Sequence, residues 1–419
     1  PTLTGNLALS RGVHGRESAP TLSGHTPPGR PEVIDCGGGS ARSGNGSNTG
    51  NSHGFLCKGR AGPLSQVGRR LSFPHRSTPW PRACRVPPPR TGSREGPVYI
   101  GAMPLLVRFL GTAASRPTVE RGVSSLAIIR EGQTMLFDCG EGTQRQMMRY
   151  GVSFAFEDLF ITHTHSDHIL GITGLIRTLS LQARTERLRV WTPRGAAKTL
   201  RQCISLGGER TTFPIDITEL DSGATLSRGE YRIEAFPVEH GPSVSLGYAL
   251  IEEERKGRFN PDLARELGIP EGPLWGRIHR GESITLDDGR VIPPSMLVGE
   301  PRRGRRIVLT GDTRPCAATI AAAQDADVLI HEATFADEEA QRALETGHST
   351  AREAAEVARA AGARQLVLTH ISARYSQNAR ELEREARQVF AATQVAKDGT
   401  EIEIPLTEEL TTALSSPAV

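Results

Sequence analysis

The chain has 419 residues, with 50 Lys and Arg against 47 Asp and Glu. The charge is unevenly spread: residues 1–102 hold 13 Lys/Arg and 4 Asp/Glu, leaving residues 103–419 acidic, so a polyanionic partner has to be met by local basic patches. No run approaches the length that spans a bilayer, and six cysteines without a disulfide or zinc-finger spacing exclude a stapled secreted scaffold and point to a soluble protein of the reducing cytoplasm.

Residues 1–102 are rich in Pro, Gly, Ser and Arg and lack apolar periodicity. Such a segment cannot bury enough surface to offset its ordering entropy, and it is expected to be disordered. The chain begins with Pro1 and its first methionine is Met103. The segment therefore reads either as an upstream extension from a misplaced start or as an arginine-rich targeting leader, without catalytic work in either case. Cys36, Cys57 and Cys84 lie within it, whereas Cys139, Cys203 and Cys316 are scattered through the remainder.

From Pro104 the pattern changes. Residues 105–110, 123–129 and 134–138 read as strands separated by glycine turns at Gly111 and at Gly140-Glu141-Gly142. Asp138 closes the third strand, placed either to orient a ligand histidine or to cap a helix predicted over 143–150. Residues 158–161 read as a short strand leading into His163-Thr-His165-Ser-Asp167-His168, which packs three imidazoles and a carboxylate into six residues. If the strand continues, His163 and His165 share one side of it, because strand side chains repeat every two residues. That makes half of a metal site. Asp167 and His168 fall at the turn into a helix predicted over 169–182, where they can face a second ion. A lone histidine at a strand end is usually a satisfied polar residue; four donors in this order are a metal-binding pattern, suited to zinc first and to manganese or iron less well.

A strand at 188–191 and a helix over about 195–206 follow. A β-rich section then has its clearest strand at 231–238, leading to His240 as a third ligand for the first ion. Residues from about 252 to 306 interrupt the alternation with Arg255, Lys256 and Arg258, a short helix over 261–267, then Arg277, His279 and Arg280, and finally Arg302, Arg303, Arg305 and Arg306. This reads as an inserted basic lobe. A charge run is usually a solvated face; beside a centre that hydrolyses phosphodiesters it becomes a clamp on nucleic-acid backbone. A buried strand beginning at Ile307 ends at Asp312, and residues 327–330 lead into His331-Glu332-Ala-Thr334. A helix over about 338–345 precedes Gly347-His348-Ser349-Thr350, with Ser349 expected to cap a helix running to Ala361. Residues 365–369 form a strand that leads to His370, and a last helix is predicted over about 378–390. Strands alternate with helices throughout and each candidate ligand follows a strand's C-terminal end, so an α/β fold with all of them on one rim is expected.

Phe109-Leu-Gly-Thr112, Phe137-Asp-Cys-Gly-Glu-Gly-Thr-Gln144, the histidine cluster, Gly311-Asp-Thr313, His331-Glu-Ala-Thr334, His348-Ser-Thr350 and Thr369-His-Ile-Ser-Ala-Arg-Tyr375 together resemble ribonuclease Z, the tRNA 3′-processing endonuclease family of the metallo-β-lactamase superfamily. The resemblance covers residues 103–406. The cluster and Gly-Asp-Thr identify only the superfamily; the last three motifs and the insert are far more specific.

The resemblance implies an αββα sandwich with two zinc ions per subunit on one edge: His163, His165 and His240 on the first, Asp167, His168 and His370 on the second, and Asp312 bridging, with Mn2+ or Fe2+ as alternatives. Asp167 would also accept the proton of the attacking water, and His348, held by Glu332, would protonate the leaving oxygen. His331 is expected to be structural, and His279 a phosphate contact or a surface residue. The insert would be a flexible arm gripping precursor tRNA, with Arg255, Lys256, Arg258, Arg277 and Arg280 as candidate RNA contacts, in a homodimer where one subunit's arm serves the other's site. Two departures stand out: Ala113 and Ser115 replace glycines of the opening loop, and Ser166 replaces a glycine within the cluster. The rival readings are a hydrolase of small phosphodiesters or sulfate esters on the same fold, and, from another class, a metal-free RNA-binding scaffold.

Overall fold

The computed structural model describes residues 105–406 except residue 209; the expectations for residues 1–102, including the three cysteines there, lie outside the described residues. In chain order, β1 (Leu105–Gly111), β2 (Ser125–Arg130), β3 (Gln133–Phe137), β4 (Asp158–Phe160), β5 (Leu188–Pro193) and β6 (Ile215–Leu220) belong to one sheet. Next, β7 (Thr225–Ser227), β8 (Tyr231–Pro237) and β9 (Leu246–Glu252) open a second sheet, followed by a small hairpin, β10 (Ile284–Thr285) and β11 (Val291–Ile292). The second sheet continues with β12 (Arg306–Leu309), β13 (Val328–Glu332), β14 (Leu366–Thr369) and β15 (Thr393–Val395), and β16 (Glu401–Glu403) returns to the first. The strand orders are β16-β1-β2-β3-β4-β5-β6 and β15-β14-β13-β12-β9-β8-β7, seven strands each.

Alternation along the strands builds the layers. Leu105, Val107 and Phe109 of β1 and Met135 and Phe137 of β3 face the other sheet, where Tyr248, Leu250, Ile307, Leu309, Ile330 and Val367 meet them. Their neighbours one residue along point the opposite way, as a period of two requires. The helices in chain order are α1 (Thr143–Tyr150), α2 (Ser166–Ile169), α3 (Gly171–Leu181), α4 (Ala197–Ser205), α5 (Pro261–Glu266), α6 (Pro273–His279), α7 (Pro294–Leu297), α8 (Ala317–Ala322), α9 (Ala340–Thr346), α10 (Ala351–Ala360) and α11 (Arg380–Arg387). Met147, Ile172, Leu175, Ile176 and Leu200 from α1, α3 and α4 cover Leu136 and Leu159 of the first sheet. On the second, Ala351, Ala354, Ala355 and Ala358 of α10, with Leu382 of α11, cover Val308, Leu329 and Leu368. The result is the expected αββα sandwich.

Several local expectations change. The helix predicted over 169–182 is two helices, α2 and α3, broken at Leu170. A Cβ on Gly171 would lie 2.0 Å from the Gly140 carbonyl oxygen, so the start of α3 is docked against the turn after β3 in a way that only glycine permits. The cap of α10 is Thr350, in a capping box with Glu353, and not Ser349. Ser349 is turned inward and donates to the Thr313 carbonyl at 2.6 Å, because that buried carbonyl beside Asp312 has to be satisfied. Likewise Asp138 caps no helix: the residue before α1 is Gly142.

The insert is an excursion between two antiparallel neighbours, since β9 and β12 pair directly, Ile251 opposite Arg306 and Tyr248 opposite Leu309. It carries its own small core of Ala264, Ile269, Ile278, Ile284, Ile292 and Leu297, flanked by Phe259 and Trp275. Its charge is nearly balanced: residues 252–306 contain 11 Lys/Arg and 10 Asp/Glu. Arg277 and Arg280 share Glu282, Arg265 pairs with Asp262 and Glu271, and Lys256 donates to the Arg280 carbonyl. At its root, buried Glu252 bonds Arg305 at 2.7 Å and Arg130 of the other sheet at 2.9 Å. The two sheets are thus tied together where the lobe leaves them.

This arrangement makes the lobe separable. Replacing residues 254–303 by a short turn should leave a folded sandwich with native-like circular dichroism and one cooperative unfolding transition. Loss of cooperativity would mean that the lobe completes the main core.

Candidate metal centre

Five of the seven predicted ligands sit just beyond a strand on one rim, and Asp167 and His168 lie in α2, which follows directly on the His163–His165 loop. His163 and His165 follow β4, His240 follows β8, Asp312 follows β12 and His370 follows β14. Because β8 and β12 each pair antiparallel with β9, they run the same way and deliver His240 and Asp312 to the same end. One detail departs from expectation: β4 stops at Phe160, so His163 and His165 converge from a loop and not from alternate strand positions. Their rings still lie 4.6 Å apart.

Asp312 occupies the centre. Its Oδ2 is 3.6 Å from His163 Nε2 and 3.7 Å from His240 Nε2, and His240 Nε2 is 3.2 Å from His165 Nδ1. Its Oδ1 is 3.3 Å from both His168 Nε2 and His370 Nε2, while Asp167 Oδ2 is 3.2 Å from His370 Nε2 and 3.7 Å from His168 Nε2. Two donors that each approach one zinc ion at about 2.0–2.2 Å lie roughly 3.3–3.6 Å from each other in a tetrahedral arrangement. The donors fall into the sets His163, His165, His240, Asp312 and Asp167, His168, His370, each within 4.8 Å. Three atoms of the cluster, His163 Nε2, His168 Nε2 and Asp312 Oδ1, are buried and make no hydrogen bond. Buried polar atoms rarely go unpaired, so the residues present fit a pair of cations.

Outer contacts fix each donor's orientation, as metal sites require. Asp138 Oδ2 lies 2.7 Å from His168 Nδ1 and also receives the Thr162 hydroxyl at 2.9 Å, the first of the two roles the sequence left open for it. The Gly347 carbonyl meets His240 Nδ1 at 2.8 Å, and Thr334 Oγ1 meets His370 Nδ1 at 2.9 Å. The Ser115 backbone N–H donates to Asp167 Oδ2 at 2.7 Å. To make these contacts Ser115, Asp138 and His370 adopt φ of 61°, 57° and 55°, each at a cost of about 1–2 kcal/mol for a residue other than glycine. That explains why glycine is the expected residue at position 115, and why serine there bears strain. Ser166, by contrast, opens α2 and has no such conflict.

His348 lies at the edge of the cluster. Its Nδ1 is 2.8 Å from Glu332 Oε1 and 4.0 Å from Asp312 Oδ2. Glu332 is fully buried and also accepts from the Thr313 N–H, the Thr334 N–H and the Thr334 hydroxyl. Asp312, His348 and His370 form a third close group, but His348 Nδ1 is engaged by Glu332. Burial lowers the His348 pKa, but the adjacent Glu332 carboxylate, aided by Asp312 and Asp167, more than reverses this and raises it to about 9. Burial likewise disfavours charge on Asp312, yet the surrounding imidazoles hold it well below the usual carboxylate range. His331 is buried on β13, and its Nδ1 meets the Glu332 carbonyl. His279 meets the Gly257 carbonyl within the lobe. Arg255, Lys256, Arg258, Arg277 and Arg280 all lie on the insert between β9 and β12. Thr334 stands inside a quoted motif and Thr162 directly precedes the histidine cluster, but only the fold shows them meeting imidazoles. Arg314 gave no signal at all.

Comparisons with known proteins agree with this geometry. Residues 105–264 match the family model described as anti-Pycsar protein Apyc1, and residues 282–371 match the one described as beta-lactamase superfamily domain. The ribonuclease Z of Gemmatimonas aurantiaca is 75% identical over 309 residues, covering 74% of this chain and 98% of that protein. That of Myxococcus xanthus is 50% identical over 303 residues, covering 72% and 98%. Among solved structures, the short form of human tRNase Z is 27% identical with a TM-score of 0.52, covering 72% of this chain and 100% of that one. With the ligand rim and its supporting carboxylates in place, these similarities show that the chain belongs to the ribonuclease Z family of metallo-β-lactamase-fold proteins.

Proposed function

We propose that the chain is a two-zinc endoribonuclease that removes the 3′ trailer from precursor tRNA, leaving a 3′-hydroxyl on the tRNA and a 5′-phosphate on the trailer. The observation that carries this reading is Asp312 lying between two sets of imidazoles, in a chain 75% identical to a ribonuclease Z. His163, His165, His240 and Asp312 Oδ2 would hold one dication; Asp167, His168, His370 and Asp312 Oδ1 would hold the other. A set of imidazoles and carboxylates without thiolate favours zinc and also accepts Mn2+ or Fe2+. Bound dications supply Lewis-acid stabilisation of charge on phosphate and make hydroxide available near neutral pH.

The chain's own groups do the rest. Asp167 is fixed by the Ser115 N–H, and it receives the proton of the attacking water. The leaving 3′-oxygen departs on the opposite side of phosphorus and is protonated there by His348. Since Nδ1 of that imidazole is committed to Glu332, the proton leaves from Nε2. A raised pKa keeps it available at neutral pH.

The lobe leaves the sandwich at the C-terminal end of β9, the rim opposite the ligands. Seven residues at about 3.3 Å each put its root roughly 20 Å away. That distance supports a homodimer in which one subunit's lobe, through Arg255, Lys256, Arg258, Arg277 and Arg280, holds RNA on the other subunit's centre. Removing the lobe should then weaken precursor binding and flatten its salt dependence.

The direct test is to incubate zinc-loaded protein with a precursor tRNA bearing a 3′ trailer and to map the cut. A single cut at the 3′ side of the acceptor stem is expected; cleavage of a chromogenic phosphodiester with the precursor left intact would favour the small-molecule reading. Asp312→Ala should lose bound metal, measured by elemental analysis, together with turnover, and a variant that retained two ions per chain would contradict the bridging role. Glu332→Gln removes the carboxylate that raises the His348 pKa. The alkaline limb of the kcat profile on precursor tRNA should therefore move to lower pH, since the donor then deprotonates earlier. Nearby cations lower both values without changing the sign, and an unmoved limb would exclude His348 as the acid.

A further inference from the structure

His348 lies in the short connection between α9 and α10, so no strand or helix fixes its backbone. Its ring is held by Glu332, and its N–H donates to the Ala343 carbonyl at 2.8 Å. Its carbonyl accepts from Arg314 Nη1 at 2.6 Å. The same guanidinium forks onto Glu353, with Nη1 2.8 Å from Oε2 and Nη2 against Oε1. Glu353 is itself immobilised, because Oε2 also accepts the Thr350 N–H that opens α10, at 2.8 Å. On its other side Arg314 is two residues past Asp312, and its backbone N–H donates to the Glu239 carbonyl at 2.6 Å, next to His240. One residue therefore joins the Asp312 loop, the His240 loop, the His348 connection and the N-terminus of α10.

We propose that Arg314 is a positioning residue for proton donation: its guanidinium, braced by Glu353, fixes the backbone of His348 relative to Asp312, and so places the imidazole against the leaving oxygen. This rests on the reading of His348 as the acid. The chemistry of the side chain suits the task. A planar fork can hold a carboxylate through two N–H groups while one of them also meets a carbonyl, which a lysine ammonium cannot reproduce with the same geometry. A proton donor displaced by about 1 Å loses much of its effect, whereas His168 and His370, held by Asp138 and Thr334 from other segments, stay where they are.

The experiment compares two leaving groups. A ribose 3′-oxygen needs a proton to depart; p-nitrophenolate does not. In zinc-loaded Arg314→Met, kcat on precursor tRNA should fall about tenfold or more with KM nearly unchanged, while turnover of bis(p-nitrophenyl) phosphate falls no more than about twofold. Arg314→Lys should recover only part of the loss. Glu353→Gln, which keeps hydrogen-bonding groups at the brace, should show the same split at smaller size and serves if the Met variant does not fold. Equal losses on both substrates, or none on either, would overturn the proposal. His348→Ala is run alongside. If it shows the split and the Arg314 and Glu353 variants do not, the positioning role fails while the acid assignment stands; if His348→Ala shows no split, both fail.

Discussion

The centre depends on keeping one ionised carboxylate, Asp312, 2% exposed in the middle of a protein. An isolated buried carboxylate is strongly disfavoured, and it persists here because five imidazoles converge on it or on its neighbour Asp167 from three other segments of the chain. Bringing them together is the task of the sandwich. β4, β8, β12 and β14 end at the same rim, and the strand order places the loops after them side by side.

Precision comes from the layer behind the ligands. Three imidazoles that face the centre through one nitrogen are held at the other by a group from a different segment, Asp138 for His168, Gly347 for His240 and Thr334 for His370, while His163 Nδ1 meets the adjacent Thr162 hydroxyl. Glu332 extends the same design to His348 and simultaneously ties down Thr313 and Thr334. Strain at Ser115, Asp138 and His370 is concentrated in this layer, where surrounding contacts over-determine the backbone. Local energy is sacrificed for the placement of donors.

The lobe is a different kind of feature. It joins the body through an adjacent strand pair whose ends are tied to the other sheet by Arg130, Glu252 and Arg305. The root of the lobe and the candidate metal centre thus stand at opposite ends of the second sheet's strands. The near balance of charge in the lobe means that any grip on phosphate depends on where individual arginines are displayed, not on a broad positive field.

The amino-acid sequence determined the donors, their order and the alternation of strands and helices, because ligand chemistry and period-two patterning are local properties. It was sufficient to read, through motif resemblance, the αββα class, the seven candidate ligands that the fold gathers together and the Glu332–His348 contact. Tertiary structure alone decided which groups hold those ligands, since the partners of His240, His370 and Asp167 lie 107, 36 and 52 positions away in the chain. It also decided that Thr350 and not Ser349 caps α10, and that Arg314 binds a backbone carbonyl of the candidate acid. A hydroxyl next to a helix start and an arginine after Gly-Asp-Thr look like ordinary surface residues until folding shows which buried polar atoms need them.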